Sequence, residues 1–137
     1  MHLSPYLTFN GTCEEAFKFY ERHLGGKIAM MQTFGDSPGA AQMPGEMSKK
    51  IIHARISIGD LTVMGSDAPR DRFEAPKGIS LALGVASPAE ADRVFHALAD
   101  GGEVRMALQQ TFFSQRFGML VDRFGIPWMI NCEAAAS

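Results

Sequence analysis

Phe117-Gly118-Met119-Leu120-Val121-Asp122-Arg123-Phe124-Gly125-Ile126-Pro127-Trp128-Met129-Ile130-Asn131 decides how the rest of the chain is read. Two apolar runs, Met119 to Val121 and Ile126 to Ile130, flank a polar Asp122 to Gly125 turn, where glycine supplies the positive φ that closes such a loop. Pro127 lacks a backbone donor, which suits the first residues of a strand or an edge better than a strand's middle. The stretch is therefore a hairpin of the kind that completes a sheet.

Upstream of it the same order of elements is written twice. Residues 2 to 10 alternate apolar and polar, with Leu7 and Phe9 on one side and Tyr6 and Thr8 on the other, as a strand buried on one face does. After Asn10-Gly11, Thr12 and Glu15 have capping-box spacing, and a helical stripe of Ala16, Phe19, Tyr20 and His23 or Leu24 runs to the Gly25-Gly26 stop. Lys27 to Phe34 reads as a strand. Residues 35 to 50 lack a sustained period and are long for a connection in a compact domain, so they are expected to form a mobile flap. Ile52, Ala54, Ile56 and Ile58 alternate with His53, Arg55 and Ser57, and Gly59-Asp60 turns the chain into Leu61 to Ser66. From Gly78 the series begins again: a strand over Ile79 to Ala86, a helix opened by Ser87-Pro88 with the stripe Ala91, Val94, Phe95 and Leu98, a Gly101-Gly102 stop, and three strands. At one constant spacing Leu7 matches Leu83, Glu14 matches Glu90, Phe19 matches Phe95 and Gly25-Gly26 matches Gly101-Gly102. Leu61 to Met64 likewise lies over Ile126 to Met129. Each half reads βαβββ, an internal duplication over 1–67 and 78–133 joined by a linker, 68–77, within a single domain spanning 1–137.

A helix with one apolar stripe must cover the apolar face of its own sheet. Leu7, Phe9, Ile56, Ile58, Leu61, Val63, Leu83, Val85, Trp128 and Ile130 are accordingly assigned to the helix side. Tyr6, Thr8, His53, Arg55, Ser57, Thr62, Met64, Ser66, Ser80, Ala82, Met129 and Asn131 fall on the opposite face, where a ligand cleft is expected.

Composition limits the classes of partner. The 137 residues, 46% hydrophobic, are enough for one core; the net charge of −2 shows no basic footprint, so a nucleic-acid role is not expected. No stretch reads as a leader or membrane span, and a soluble, cytoplasmic protein is expected. Cys13 and Cys132 have no metal-ligand spacing and read as thiols. Cys13, at a helix start, is either a thiolate favoured by the dipole or a plain occupant of the first turn.

The stretches Pro5 to Gly11, Ala16 to Tyr20, Ile52-His53-Ala54, Ser66-Asp67-Ala68 and Thr111 to Asn131, with Asp122-Arg123-Phe124-Gly125-Ile126-Pro127-Trp128 as the most specific part, resemble the PhnB-like branch of the vicinal oxygen chelate superfamily. That superfamily holds glyoxalase I, bleomycin-resistance proteins and extradiol dioxygenases. The resemblance covers nearly the whole chain. It implies an α+β fold of two βαβββ modules whose curved mixed sheets surround a cleft, and a homodimer. Fold does not fix the reaction, since the superfamily contains lyases, isomerases, oxygenases and drug-sequestering proteins. Its metal-using members place His or Glu where this chain has Ser4 or Pro5, Val63 or Met64, Ser80 and Met129. None of these is imidazole or carboxylate, so no metal is expected. Some relatives are labelled demethylubiquinone methyltransferases. The strand-to-helix turns Asn10-Gly11-Thr12 and Ala86-Ser87-Pro88 lack the glycine-rich form that a nucleotide-like cofactor on a doubly wound fold requires, and no cofactor is expected.

The best single candidate for chemistry is His53, a general acid or base on the cleft face, with Arg55 beside it to hold a carboxylate or phosphate. Both also suit a purely structural place at the cleft mouth. Tyr6, Thr8, Arg55, Met64, Ser80, Gln115, Met129 and Asn131 are the candidate ligand contacts. Met64 and Met129 read equally as a soft floor or as core filler, and Phe112, Phe113, Phe117 and Phe124 as packing or a stacking wall. The expectation is a metal-free small-molecule binding protein. The alternative is a lyase or isomerase using His53 as base or in an unorthodox metal site.

Overall fold

In the computed structural model the described residues are 1–38 and 45–133. The chain divides into two compact units, Met1–Ala75 and Pro76–Ser137, each containing one module. In the first, β1 (Tyr6–Phe9), α1 (Cys13–Leu24), β2 (Lys27–Thr33), β3 (Ile51–Ile58) and β4 (Leu61–Asp67) form a four-stranded sheet of order β1-β4-β3-β2. In the second, β5 (Leu81–Val85), α2 (Pro88–Ala99), β6 (Glu103–Gln109), β7 (Ser114–Val121) and β8 (Pro127–Glu133) give the order β5-β8-β7-β6. The first strand of each module pairs in parallel with its last, and the remaining pairs are antiparallel. The expected α+β architecture of two βαβββ modules with mixed, unclosed sheets is therefore present. Pro127 opens β8, where its missing donor is harmless.

Each module buries its core between its helix and one face of its sheet. Phe9, Ile56 and Val63 meet α1 residues Ala16, Phe17 and Tyr20, while Leu120, Trp128 and Ile130 serve α2 residues Val94, Phe95 and Leu98. Room for the aromatic rings comes from glycine. A Cβ on Gly65 would stand 2.9 Å from Phe17 Cζ, and one on Gly118 2.6 Å from Phe95 Cε2.

Several local expectations require correction. The buried stripe of α1 is Cys13, Ala16, Phe17 and Tyr20, and Phe19 is only half-buried. Phe17, not Phe19, is thus the counterpart of Phe95 in helix-face terms, because Cys13, Ala16, Phe17 and Tyr20 share the spacing of Ala91, Val94, Phe95 and Leu98. Thr12 makes no capping bond. The carboxylate of Asp67, at the end of β4 and buried, reaches back to accept the Cys13 amide at 2.9 Å and the Ile51 amide at 2.9 Å. The reciprocal cap lies in the other module, where Ser87 Oγ accepts the Glu90 amide at 3.1 Å and Glu90 Oε2 accepts the Ala86 amide at 3.4 Å. Leu61, assigned to the helix side, is 47% exposed because it sits at the tight Gly59-Asp60 turn, beyond the reach of α1. The first strand starts at Tyr6, not at residue 2.

The terminal hairpin is held by a second buried carboxylate. Asp122 Oδ1 accepts the amides of Phe124 (2.9 Å) and Ile126 (3.0 Å), and Oδ2 accepts the indole N–H of Trp128 (2.9 Å). Of the flap expected at 35–50, residues 39–44 lie outside the described residues. Its ends form short 3-10 turns, Phe34–Asp36 and Met47–Lys49, joined by the Phe34 amide to the Lys50 carbonyl at 2.9 Å.

Candidate functional site

Directly paired residues of neighbouring strands present their side chains on the same face. In the first module the register aligns Tyr6 with Met64, Met64 with Arg55 and Arg55 with Met30 across the whole sheet, on the side away from α1. One step along, Thr8 pairs with Ser66 and His53 with Gln32. This brings five candidate residues, Tyr6, Thr8, His53, Arg55 and Met64, onto one face. Tyr6 leans across β4 so that its ring stacks on the His53 imidazole, centroids 5.9 Å apart at 27°, with its hydroxyl 3.5 Å from Nδ1. Arg55 Nε donates to His53 Nε2 at 3.2 Å. That donor assigns Nε2 as an acceptor and leaves the ring hydrogen on Nδ1, facing the Tyr6 oxygen. Arg55 is exposed, and among the described residues no carboxylate pairs with its guanidinium. An open depression of about 510 Å³ adjoins it, lined by His2, Leu3, Ser4, Arg55, Thr62 and Met64.

The second module repeats this frame with different chemistry. Ala82, Met129, Met119 and Met106 form its first row, and Gly84, Asn131, Phe117 and Gln109 its second. Met129 thus occupies the position of Met64, as the repeat predicted, and Phe117 that of His53. Asn131 stands on this face with its side-chain oxygen buried and without a hydrogen-bond partner. Gln115, expected on the ligand face, donates from Nε2 to the Glu133 carbonyl at 2.8 Å and so ties the start of β7 to the end of β8. Ser80 is half-buried just ahead of β5. Met30, Gln32, Met119 and Gly84 were not singled out from the sequence. The signal that locates them is the pairing register through Met64 and Met129.

Two other features are structural. A larger depression, about 790 Å³, lies between α2 and the edge strand β6, but its polar groups are engaged: Asp92 with Arg116 at 3.5 Å, Asp100 with Arg123 at 3.0 Å, and His96 Nδ1 with the Asp92 carbonyl at 2.6 Å. Cys13 is fully buried, and desolvation, followed by the nearby Asp67 and Glu14 charges, pushes its thiol well above the ordinary range. The reactive-thiolate reading of Cys13 is therefore corrected: burial and two acidic neighbours outweigh the helix dipole. Among the described residues no three His, Cys, Asp or Glu side chains gather in a way that could hold a metal ion.

The model of the family described as 3-demethylubiquinone-9 3-methyltransferase matches residues 1–131. The chain belongs to this family. It is 37% identical over 139 residues to Protein YjdN of Escherichia coli (strain K12), covering 96% of this chain and 95% of YjdN. Among solved structures it is similar to PA1353 from Pseudomonas aeruginosa, with 48% identity, a TM-score of 0.88, and 97% and 98% of the two chains covered. It is also similar to the putative 3-demethylubiquinone-9 3-methyltransferase, PhnB protein, from Bacillus cereus, at 28% identity and TM-score 0.83 over 96% and 99%. The fold alone extends to the fosfomycin resistance protein FosX from Listeria monocytogenes, at 11% identity and TM-score 0.68 over 98% and 94%. The family is the PhnB-like branch of the vicinal oxygen chelate superfamily, and no described helix is long and apolar enough to cross a membrane.

Proposed function

We propose that this chain binds a small organic molecule on the sheet faces turned away from its helices, without the metal used by other members of the superfamily. The observation that carries the reading is the Tyr6–His53–Arg55 cluster. An exposed guanidinium with one nitrogen fixed by an imidazole keeps its two terminal nitrogens for a carboxylate or phosphate, which it would grip by two parallel charge-assisted bonds. Met64, Thr8 and Ser66 complete a surface that is soft in one place and polar in another. The metal-free part rests on the donor set: Ser4, Pro5, Val63, Met64, Ser80 and Met129 offer neither imidazole nor carboxylate. A thermal-shift screen of anionic metabolites and of Zn²⁺, Ni²⁺ and Mn²⁺ tests both parts. Stabilisation by a carboxylate or phosphate compound that Arg55→Met removes supports the reading. A crystal grown with one of the metals and showing it at bonding distance on these faces overturns the metal-free part.

The lyase or isomerase alternative has one observation for it and one against. His53 sits on the ligand face between a phenol and a guanidinium, a setting that suits proton transfer. Its Nε2, however, already accepts from Arg55, so that bond has to open before the nitrogen takes a proton. Loss of turnover in His53→Ala, with ligand binding retained, would favour the alternative.

Methyl transfer is not carried over from the family's description. The Asn10-Gly11-Thr12 turn is held by Lys50, whose ammonium donates to the Gly11 carbonyl at 3.0 Å, and neither it nor Ala86-Ser87-Pro88 has the glycine-rich form of a nucleotide-binding strand-to-helix turn. The proposal includes a cytoplasmic homodimer, supported by the exposed Val104 and Met106 of β6 and the exposed Phe112 and Phe113 beyond it. Sedimentation at micromolar concentration checks the association state.

A further inference from the structure

We infer that the second module carries its own subsite, for an uncharged planar ring bearing an N–H or O–H donor, centred on Asn131 and the open space over Gly84. The inference rests on the ligand-binding reading and goes beyond it, because that reading was built on the charged cluster of the first module.

Three observations on one face meet here. Asn131 Oδ1 is buried and has no hydrogen-bond partner, a state that native proteins seldom leave unused. Gly84, its direct partner on β5, has nothing within 4 Å of where a Cβ would stand, so the sheet is bare beside the amide. Its φ is not left-handed, so the backbone conformation does not require glycine there. On the other side Asn131 pairs with Phe117 on β7, whose ring continues an edge-to-face series to Phe113 (5.2 Å, 72°) and Phe112 (5.1 Å, 84°). Met129 and Met119 lie in the adjoining row.

The chemistry of the occupant follows. The orphan is an acceptor, so the ligand must donate. Asn131 as a residue keeps partial exposure beside the exposed Gly84, so binding would turn its amide to bring the buried oxygen to the ligand's donor. Methionine sulfur and phenylalanine edges favour an aromatic ring, and the rows described contain no charged side chain on this module, so a neutral ring is preferred over an ion. The free protein carries the cost of an unsatisfied oxygen, and the ligand's donor removes it. A ring lacking the donor therefore binds more weakly than one having it.

The test is a ¹H–¹⁵N NMR titration of the full chain with indole and 1-methylindole, which differ in one N–H. Indole is expected to shift the amides of Gly84, Asn131 and Met129 and to bind about fivefold to tenfold tighter than 1-methylindole, as one hydrogen bond predicts. Asn131→Leu should bring the two affinities together. Gly84→Phe, which leaves Asn131 untouched, should abolish both and serves if the first variant misfolds. Equal affinities in the parent protein, shifts confined to other residues, or an ordered water on Asn131 Oδ1 that indole does not displace would overturn the subsite. Failure of this inference alone leaves carboxylate or phosphate compounds shifting Tyr6, His53 and Arg55. Failure of the wider reading leaves no ligand-dependent shift on either module.

Discussion

The two modules share one strand register and carry opposite surfaces on it. Where the first has Tyr6, Met64, Arg55 and Met30, the second has Ala82, Met129, Met119 and Met106. Where the first has Thr8, Ser66, His53 and Gln32, the second has Gly84, Asn131, Phe117 and Gln109. Three positions are unchanged: the methionine at the centre of the last strand (Met64 and Met129), and the methionine and glutamine of the second strand (Met30 and Met106, Gln32 and Gln109). The scaffold positions, fixed by helix packing on the other face, are thus separable from the chemistry displayed. One copy of the repeat has become charged and aromatic-polar, the other thioether-rich with two amides, Asn131 and Gln109.

The modules also differ in how they are fastened, and that difference can be broken. Asp122 is a local clamp on one turn, whereas Asp67 joins three distant parts of the first module. Asp122→Ala strands three donors, two amides and an indole, and should cost about 4 kcal/mol in urea denaturation, with Asp67→Ala, stranding two, at about 3 kcal/mol. Equal effects of alanine and asparagine at both sites would show that charge is irrelevant there. Next in size are the glycines under the helices. Gly118→Ala and Gly65→Ala force a Cβ against Phe95 and Phe17 and should each destabilise by roughly 1 to 3 kcal/mol, while Gly84→Ala, facing open space, should change stability by less than about 0.5 kcal/mol.

Arg55→Met sharpens the contrast between the two faces, because it places a methionine where the second module has Met119. It should weaken binding of an anionic ligand by about tenfold and leave the melting temperature nearly unchanged, as read by calorimetry with and without ligand. The smallest effect concerns Cys13. Its folded thiol is held protonated above its ordinary range, so the stability it contributes is complete below the unfolded thiol's titration and is lost as pH rises beyond it. Between pH 7.5 and 9.5 the loss should be under about 1 kcal/mol, absent in Cys13→Ala, and native Cys13 should resist iodoacetamide over the same range.

Much of the fold was legible because the alternation of Ile52 to Ile58, the Gly-Gly stops and the Asp122 to Pro127 turn are local signals that tertiary structure had no reason to override. The phase of α1 was not. Phe17 and Phe19 are both aromatic and both adjacent to the stripe, and only the glycine opposite, Gly65, selects which ring is swallowed. Thr12 and Glu15 had the right spacing for a cap, yet a carboxylate from the far end of β4 took the Cys13 amide first. Tyr6, His53 and Arg55 were legible as residues of one face, but their mutual contacts were not, since a strand pattern assigns a side without saying which neighbour a side chain leans toward. Gln115 shows the same limit: its parity was read, and its bond to the Glu133 carbonyl was not.

The Asp67 carboxylate has a bearing on how the protein is made. As the chain leaves the ribosome, the opening turn of the first helix has to wait for residue 67 before its Cys13 amide is taken up, whereas Ser87 and Glu90 finish the second helix within its own first turn. Nascent chains stalled ahead of Asp67 should therefore be nicked by protease near Cys13, and chains stalled just past α2 should resist cleavage near Glu90. The first helix is thus born ahead of its cap, and the second is born with one.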